Sequence, residues 1–179
     1  MVVDTILFGD CRETLKEFDG KARTCVTSPP YYGLRNYGNE EDQIGQEQTP
    51  EEYIQNLVEV FRSVRDVLTD DGTLWVNIGD SYYNYRPGKG QALPKQTVSK
   101  TKQDLPDKCA KRGNKLEGLK EKDLIGIPWM LAFALRADGW YLRQDIIWHK
   151  PNPMPESVKD RCTKSHEYIF LLSKNRKYY

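Results

Sequence analysis

Five consecutive residues, Thr27-Ser28-Pro29-Pro30-Tyr31, carry the densest chemistry in the chain. Ser28 brings a hydroxyl that accepts or donates a hydrogen bond. Pro29 brings a carbonyl but no N–H, and the paired prolines stiffen the backbone so that this carbonyl points in a fixed direction. Tyr31 adds a flat ring with a polar tip. A rigid acceptor pair beside a stacking surface suits the NH2 group of a planar heterocycle. Such an amine is a poor nucleophile because its lone pair is shared with the ring. Hydrogen bonds from the amine to Ser28 and the Pro29 carbonyl favour a pyramidal nitrogen with an available lone pair. What remains is alignment of that nitrogen with an electrophilic carbon, which is the positioning form of catalysis.

The elements around this string must hold it at an accessible rim. Thr24 to Thr27 reads as a short strand, stopped by Ser28-Pro29-Pro30 because proline cannot donate to a ladder. The string therefore sits at the carboxyl end of a strand, where open parallel sheets bind ligands. Upstream, Ile6-Leu7-Phe8 reads as a buried strand ending in a Gly9-Asp10 turn, and Cys11, Leu15 and Phe18 follow at helical spacing. Thr49-Pro50-Glu51-Glu52 has the form of a capping box with proline in the first turn. Tyr53, Leu57, Val60, Phe61, Val64 and Leu68 continue that helix at its own period, and Asp71-Gly72 ends it. Gly72 to Gly79 reads as a strand with Leu74, Val76 and Ile78 on one face. A second helix is expected from about Ile127 to Ala137, terminated by Gly139. Trp140 to His149 and Glu167 to Leu172 are two further strands. Only the proline-rich Pro151 to Pro155 stretch and its sequel separate them, with no helix, so they pair antiparallel. Strands alternating with helices predict an α/β fold, a mostly parallel sheet with flanking helices.

A chain of 179 residues suits one domain, and 30% charged with 38% hydrophobic residues is ordinary for a soluble protein. No apolar run is long enough to span a membrane, and the start does not read as a secretory signal. Cys11, Cys25, Cys109 and Cys162 lie far apart without a C-x-x-C pair, which predicts free thiols in a reducing cytoplasm. Neither histidine has a partner at metal spacing, so no metal is expected. Charge is uneven. Arg86 to Lys122 holds 11 Lys or Arg against 4 Asp or Glu, a balance of +7 that leaves −6 for the rest of a chain totalling +1. This stretch reads as a solvated insertion and as a basic arm for a phosphate backbone, with Lys111 and Arg112 as candidate contacts.

Thr27 to Tyr31 resembles the catalytic motif Asp/Asn/Ser-Pro-Pro-Tyr/Phe/Trp of DNA amino-methyltransferases. The longer stretch to Tyr37-Gly38 resembles the β-class enzymes of bacteria and phages. Gly9-Asp10-Cys11 and the strings Trp148 to Pro155 and Arg161 to Glu167 are similar to strings of the same class. The resemblance implies a Rossmann-like fold dependent on S-adenosylmethionine, and site-specific methylation of a cytosine N4 or adenine N6 amine in double-stranded DNA, of restriction-modification type. The serine of the motif tilts the target towards cytosine. It further implies catalytic roles for Ser28, Pro29, Pro30 and Tyr31, with Tyr31 stacking on a flipped-out base. Asp10, Cys11, Thr27 and Ser28 are then the cofactor contacts, Asp10 accepting from the adenine amine and the Cys11 N–H reaching a ring nitrogen. A helix N-cap is the plainer role for Asp10. Lys150, Asn152 and Arg161 become DNA or base contacts. Asn77 to Tyr82 forms the active-site floor, where Asp80 could equally be a turn residue.

One departure stands out. The class carries its glycine-rich cofactor loop and two further strands after this region, and Gly88-Lys89-Gly90 does not follow a strand. The expectation is therefore the catalytic part of a methyltransferase domain, incomplete at its carboxyl end, with a basic insertion at about 86–122. A carboxyl-terminal half or a second copy is the expected protein partner. The alternative is a DNA-binding module without catalysis, or an inactive remnant.

Overall fold

The longest helix starts where its cap residues put it. In the computed structural model, which describes residues 4–34, 43–83, 116 and 118–178, Thr49 is extended and its hydroxyl accepts from the Glu52 N–H at 3.2 Å. The Glu52 carboxylate accepts in return from the Thr49 N–H at 3.3 Å. The helix, α2, then runs from Pro50 to Val67. The remaining elements are α1 (Cys11–Thr14), β1 (Ala22–Thr27), β2 (Leu68–Ile78), α3 (Ile127–Ala137), β3 (Tyr141–His149) and β4 (His166–Ser173).

The four strands lie in the order β1-β2-β4-β3. Only β1 and β2 are parallel. β4 pairs antiparallel with both β2 and β3. The expectation of a mostly parallel sheet is corrected to a mixed one. The absence of a helix between β3 and β4 makes them antiparallel, and β4 then inserts beside β2 and imposes a second antiparallel pair. Paired residues share a face, so Leu74, Val76 and Ile78 line up with Leu172, Phe170 and Tyr168. That face is covered by Tyr53, Leu57, Phe61 and Val64 of α2 and by Leu131 and Leu135 of α3, forming one core cluster. Each such side chain fully buried contributes about 1.5–3 kcal/mol.

Three expectations fail locally. Ile6-Leu7-Phe8 forms no strand, and Ile6 and Phe8 stand 77% and 88% exposed. An apolar run becomes a strand only where a neighbour completes its ladder, and β1 pairs with β2 alone among the described strands. The helix expected over Cys11 to Phe18 is a single turn, α1, since a turn fixed by one cap has little propagation behind it. Finally, α2 ends at Val67 rather than at Asp71-Gly72, and Leu68 already belongs to β2. The turn read at Asp71-Gly72 exists, but inside the strand. Ala22 pairs with Leu68 and Thr24 with Thr73, so β2 makes an excursion between them. Gly72 closes it where a Cβ would lie 2.9 Å from the Thr69 carbonyl.

Most of the basic stretch, including Lys111 and Arg112, lies outside the described residues. Its far end, Gly118 to Lys122, and the residues shortly before it, Ser81 to Tyr83, are described. The Tyr83 N–H donates to Asp123 O and the Lys122 N–H to Tyr83 O, both at 2.8 Å, and the Ile125 N–H donates to Ser81 O at 3.0 Å. Tyr82 and Leu124 form a bridge there, so Ser81 to Tyr83 and Lys122 to Ile125 lie side by side as a two-stranded neck. Among the described residues, no helix is long and apolar enough to cross a membrane.

Candidate functional site

Strand direction brings the chemistry to one rim. Parallel β1 and β2 both end there, antiparallel β4 begins there, and β3, antiparallel to β4, ends there. Thr27 to Tyr31, Asn77 to Asp80, Lys150 and Glu167 are therefore neighbours.

The proline string is fastened from below. The buried Tyr53 phenol donates to the Pro30 carbonyl at 2.7 Å, and the Leu34 N–H donates to the Tyr31 carbonyl at 3.3 Å. Burial raises the Tyr53 phenol far above the ordinary tyrosine value, so it stays protonated and keeps donating. Among the described residues, nothing donates to the Pro29 carbonyl. Pro29 itself is buried while Ser28 is exposed. The string thus sets an exposed hydroxyl beside a buried proline whose carbonyl accepts from no described donor.

Tyr31 is held edgewise across the rim. Its ring lies against Gly79, where a Cβ would come within 2.7 Å of Cε2. Its phenol has two acceptors, Asn77 Oδ1 at 3.2 Å and Glu167 Oε2 at 3.1 Å. Burial raises the phenol's pKa, a hydrogen bond with Ser28 opposes that, and the Glu167 carboxylate adds to it. The other Glu167 oxygen accepts from the Lys150 ammonium. Burial alone would raise the Glu167 pKa. Hydrogen bonds from Lys150 and Tyr31 outweigh it and hold the carboxylate below its ordinary value. A carboxylate so lowered keeps its partners above its ordinary value of 4.5 and releases them as pH falls through the lowered one.

The remaining sequence-predicted residues divide. Thr27 ends β1 beside the string. Asn152 is exposed on the loop after β3. Arg161 turns back on the protein. Its guanidinium sits 3.7 Å from the Tyr82 ring centroid and pairs with Glu156. Asp10 caps α1, its carboxylate accepting from the Arg12 N–H at 2.8 Å and from the Arg12 guanidinium at 2.5 Å. Burial raises the Cys11 and Cys25 thiols, so neither is poised as a thiolate. His166 packs edge-on against Tyr168.

Asp80 is a cap at a distance. Its carboxylate accepts from the Gly126 and Ile127 N–H groups at 3.0 Å, the start of α3, and from the Ser81 N–H at 2.9 Å. Replacing it by Ala should cost about 1–2 kcal/mol and lower the melting temperature by roughly 2–8 °C. An unchanged melt would show that α3 does not depend on this carboxylate.

Geometry of this kind has relatives. A family model described as DNA methylase matches residues 22–179. The chain belongs to that family. Among curated DNA methylase relatives, it is 54% identical to the type II methyltransferase M.SmaI of Serratia marcescens, over 97% of this chain and 57% of that protein. It is 52% identical to the type II methyltransferase M.Cfr9I of Citrobacter freundii, over 98% of this chain and 56% of the other. The chain therefore spans about half the length of the curated relatives it matches. Among solved structures, it superposes on the cytosine-N4-specific PvuII DNA methyltransferase with a TM-score of 0.60 at 16% identity, covering 95% of this chain and 49% of that one. It superposes on a putative DNA modification methylase of Thermus thermophilus, in complex with S-adenosyl-L-methionine, with a TM-score of 0.57 at 21% identity, over 96% of this chain and 53% of that one. These likenesses show a common fold.

Seen as a DNA methylase, the chain holds three site residues to which sequence reasoning gave no individual role: Asn77, Gly79 and Glu167. A signal for Asn77 was present. It alternates with Val76 and Ile78 and so turns a polar side chain to the face opposite the core, next to the motif strand.

Proposed function

We propose that this chain is the catalytic part of a site-specific DNA methyltransferase, one that moves a methyl group from S-adenosylmethionine to the exocyclic amine of cytosine (N4) or adenine (N6). The observation that carries the reading is the pairing of the exposed Ser28 hydroxyl and the Pro29 carbonyl, next to the fastened Pro30 carbonyl, with an anchored aromatic ring. These two acceptors would take the amine's protons into hydrogen bonds and leave its lone pair directed away from the ring. Tyr31 would stack on a base flipped from the duplex. Serine in the motif favours cytosine.

The residues present fit one end of the cofactor. Asp10 is a partly exposed carboxylate, and Phe8 beside it offers an uncovered flat ring. Both suit a purine with an exocyclic amine. Asp10, Cys11 and Thr27 would hold that end. When bound, S-adenosylmethionine supplies a methyl group already activated by a sulfonium charge. Double-stranded DNA is the substrate that suits Lys150 and Asn152 at the rim and the basic insertion at about 86–122, with Lys111 and Arg112. A carboxyl-terminal half or a second copy would complete the cofactor site, and the setting would be bacterial or phage cytoplasm.

The test is transfer of label from S-adenosylmethionine to mixed-sequence DNA, by this chain and by its full-length reading frame. Label in an amine-methylated base is the expected product. Label on RNA or protein alone, or none with the full reading frame, overturns the reading.

A further inference from the structure

Tyr31 can serve as a stacking surface only if something stops its ring from turning, and within the string only the Ser28 hydroxyl reaches its phenol. The backbone fastenings reach Pro30 and the Tyr31 carbonyl, not the side chain. Gly79 leaves room for the Cε2–Cδ2 edge of the ring but offers no attraction. The polar tip is held from two other strands, by Asn77 on β2 and Glu167 on β4. Asn77 is itself tied, its Nδ2 donating to the Tyr168 carbonyl at 3.3 Å. Of these two groups, Glu167 also reaches Lys150, just beyond β3.

We propose that Glu167 is a positioning residue for methyl transfer, a carboxylate clamp that ties the Tyr31 ring to Lys150 and so fixes the stacking wall relative to the cationic side chain beside the target base. The assignment rests on the methyltransferase reading above. Each carboxylate oxygen has its own partner, Oε1 with Lys150 and Oε2 with Tyr31, so the group spans the rim from β1 to β3 through one side chain. Its backbone is fixed along β3, because Trp148 pairs with Glu167 and His149 with His166, and the Lys150 N–H donates to the Ser165 carbonyl at 2.7 Å. The same geometry argues against Glu167 as the base that takes the amine's proton. A carboxylate kept ionised by an ammonium and a phenol has little basicity to spare.

Glu167→Ala removes one of the ring's tethers, leaving Asn77, and releases Lys150, and Glu167→Gln keeps an oxygen for Tyr31 while losing the charge that pairs Lys150. Methyl transfer by the full-length reading frame should lose about ten- to a hundredfold in kcat for Glu167→Ala, with KM for DNA within about twofold and the pH profile of kcat unchanged in shape. Glu167→Gln should recover part of the loss. A KM rise with kcat preserved would assign Glu167 to direct DNA contact. Loss of an acid limb from the pH profile would make it the base. Either result overturns the clamp. A second readout needs no activity: with tyrosines carbon-13 labelled at Cζ and the Tyr31 signal identified in Tyr31→Phe, Tyr31 should ionise at lower pH in Glu167→Ala than in the unchanged chain. An unmoved Tyr31 titration refutes the clamp. If transfer is absent in the unchanged protein while Tyr31 shifts as expected, the clamp stands as geometry and the methyltransferase reading is what fails.

Discussion

A Ser28→Ala protein should bind DNA normally and methylate it roughly a hundred- to a thousandfold more slowly, the loss found when one preorganised hydrogen-bonding partner of a transition state is removed. The hydroxyl is exposed and outside the core, so stability should move by no more than about 0.5 kcal/mol. The Pro29 carbonyl would remain, fastened by the Tyr53 bond to its neighbour. An amine given one acceptor instead of two can still approach, but its lone pair stays shared with the ring. The fall should therefore lie in kcat, with the salt dependence of DNA binding unchanged, since that slope counts phosphate contacts. Methylation within about tenfold of the unchanged protein would show that Ser28 is not the group that prepares the amine.

The second large effect belongs to a residue with no side chain. Gly79→Val places a branched Cβ where Tyr31 Cε2 lies at 2.7 Å and Cδ2 at 3.2 Å. The ring must leave, and with it go its hydrogen bonds to Asn77 and Glu167. A displacement of about 1 Å at a reacting centre costs on the order of a hundredfold in rate. The measurement is a double-mutant cycle with Tyr31→Ala. If Gly79 acts through the ring, Gly79→Val should add almost nothing in the Tyr31→Ala background. Independent, additive losses would show that Gly79 serves the site in some other way.

How far the sequence speaks is clearest at particular residues. Thr49 and Glu52 announce α2 because a capping box is local: both partners lie within one turn of each other. Ser28-Pro29-Pro30 announces the end of β1 for the same reason, and the proline-rich stretch after His149 announces an antiparallel return. The misses are mostly non-local. Ile6 to Phe8 has a strand's composition but lacks a described ladder partner, and composition cannot name a partner. β4 sits between β2 and β3, a placement decided by packing across the sheet rather than by any run of residues. Glu167 reads as one more charge until β4 pairs with β3 and sets it between Tyr31 and Lys150. Asp80 reads equally as part of the site's floor or as a turn residue until α3 docks above it and offers two N–H groups.

The neck at Ser81 to Tyr83 and Lys122 to Ile125 has a consequence for how this protein can change. The two ends of the segment between those clamps are held together by these hydrogen bonds. Closing a longer loop is cheap, about 0.6 kcal/mol for each doubling of its length. Insertions, deletions and wholesale replacements there leave the rim of the sheet where it is. A lineage, or an engineer, can therefore exchange that segment for another of different length while the two ends still meet at the same place beside the sheet.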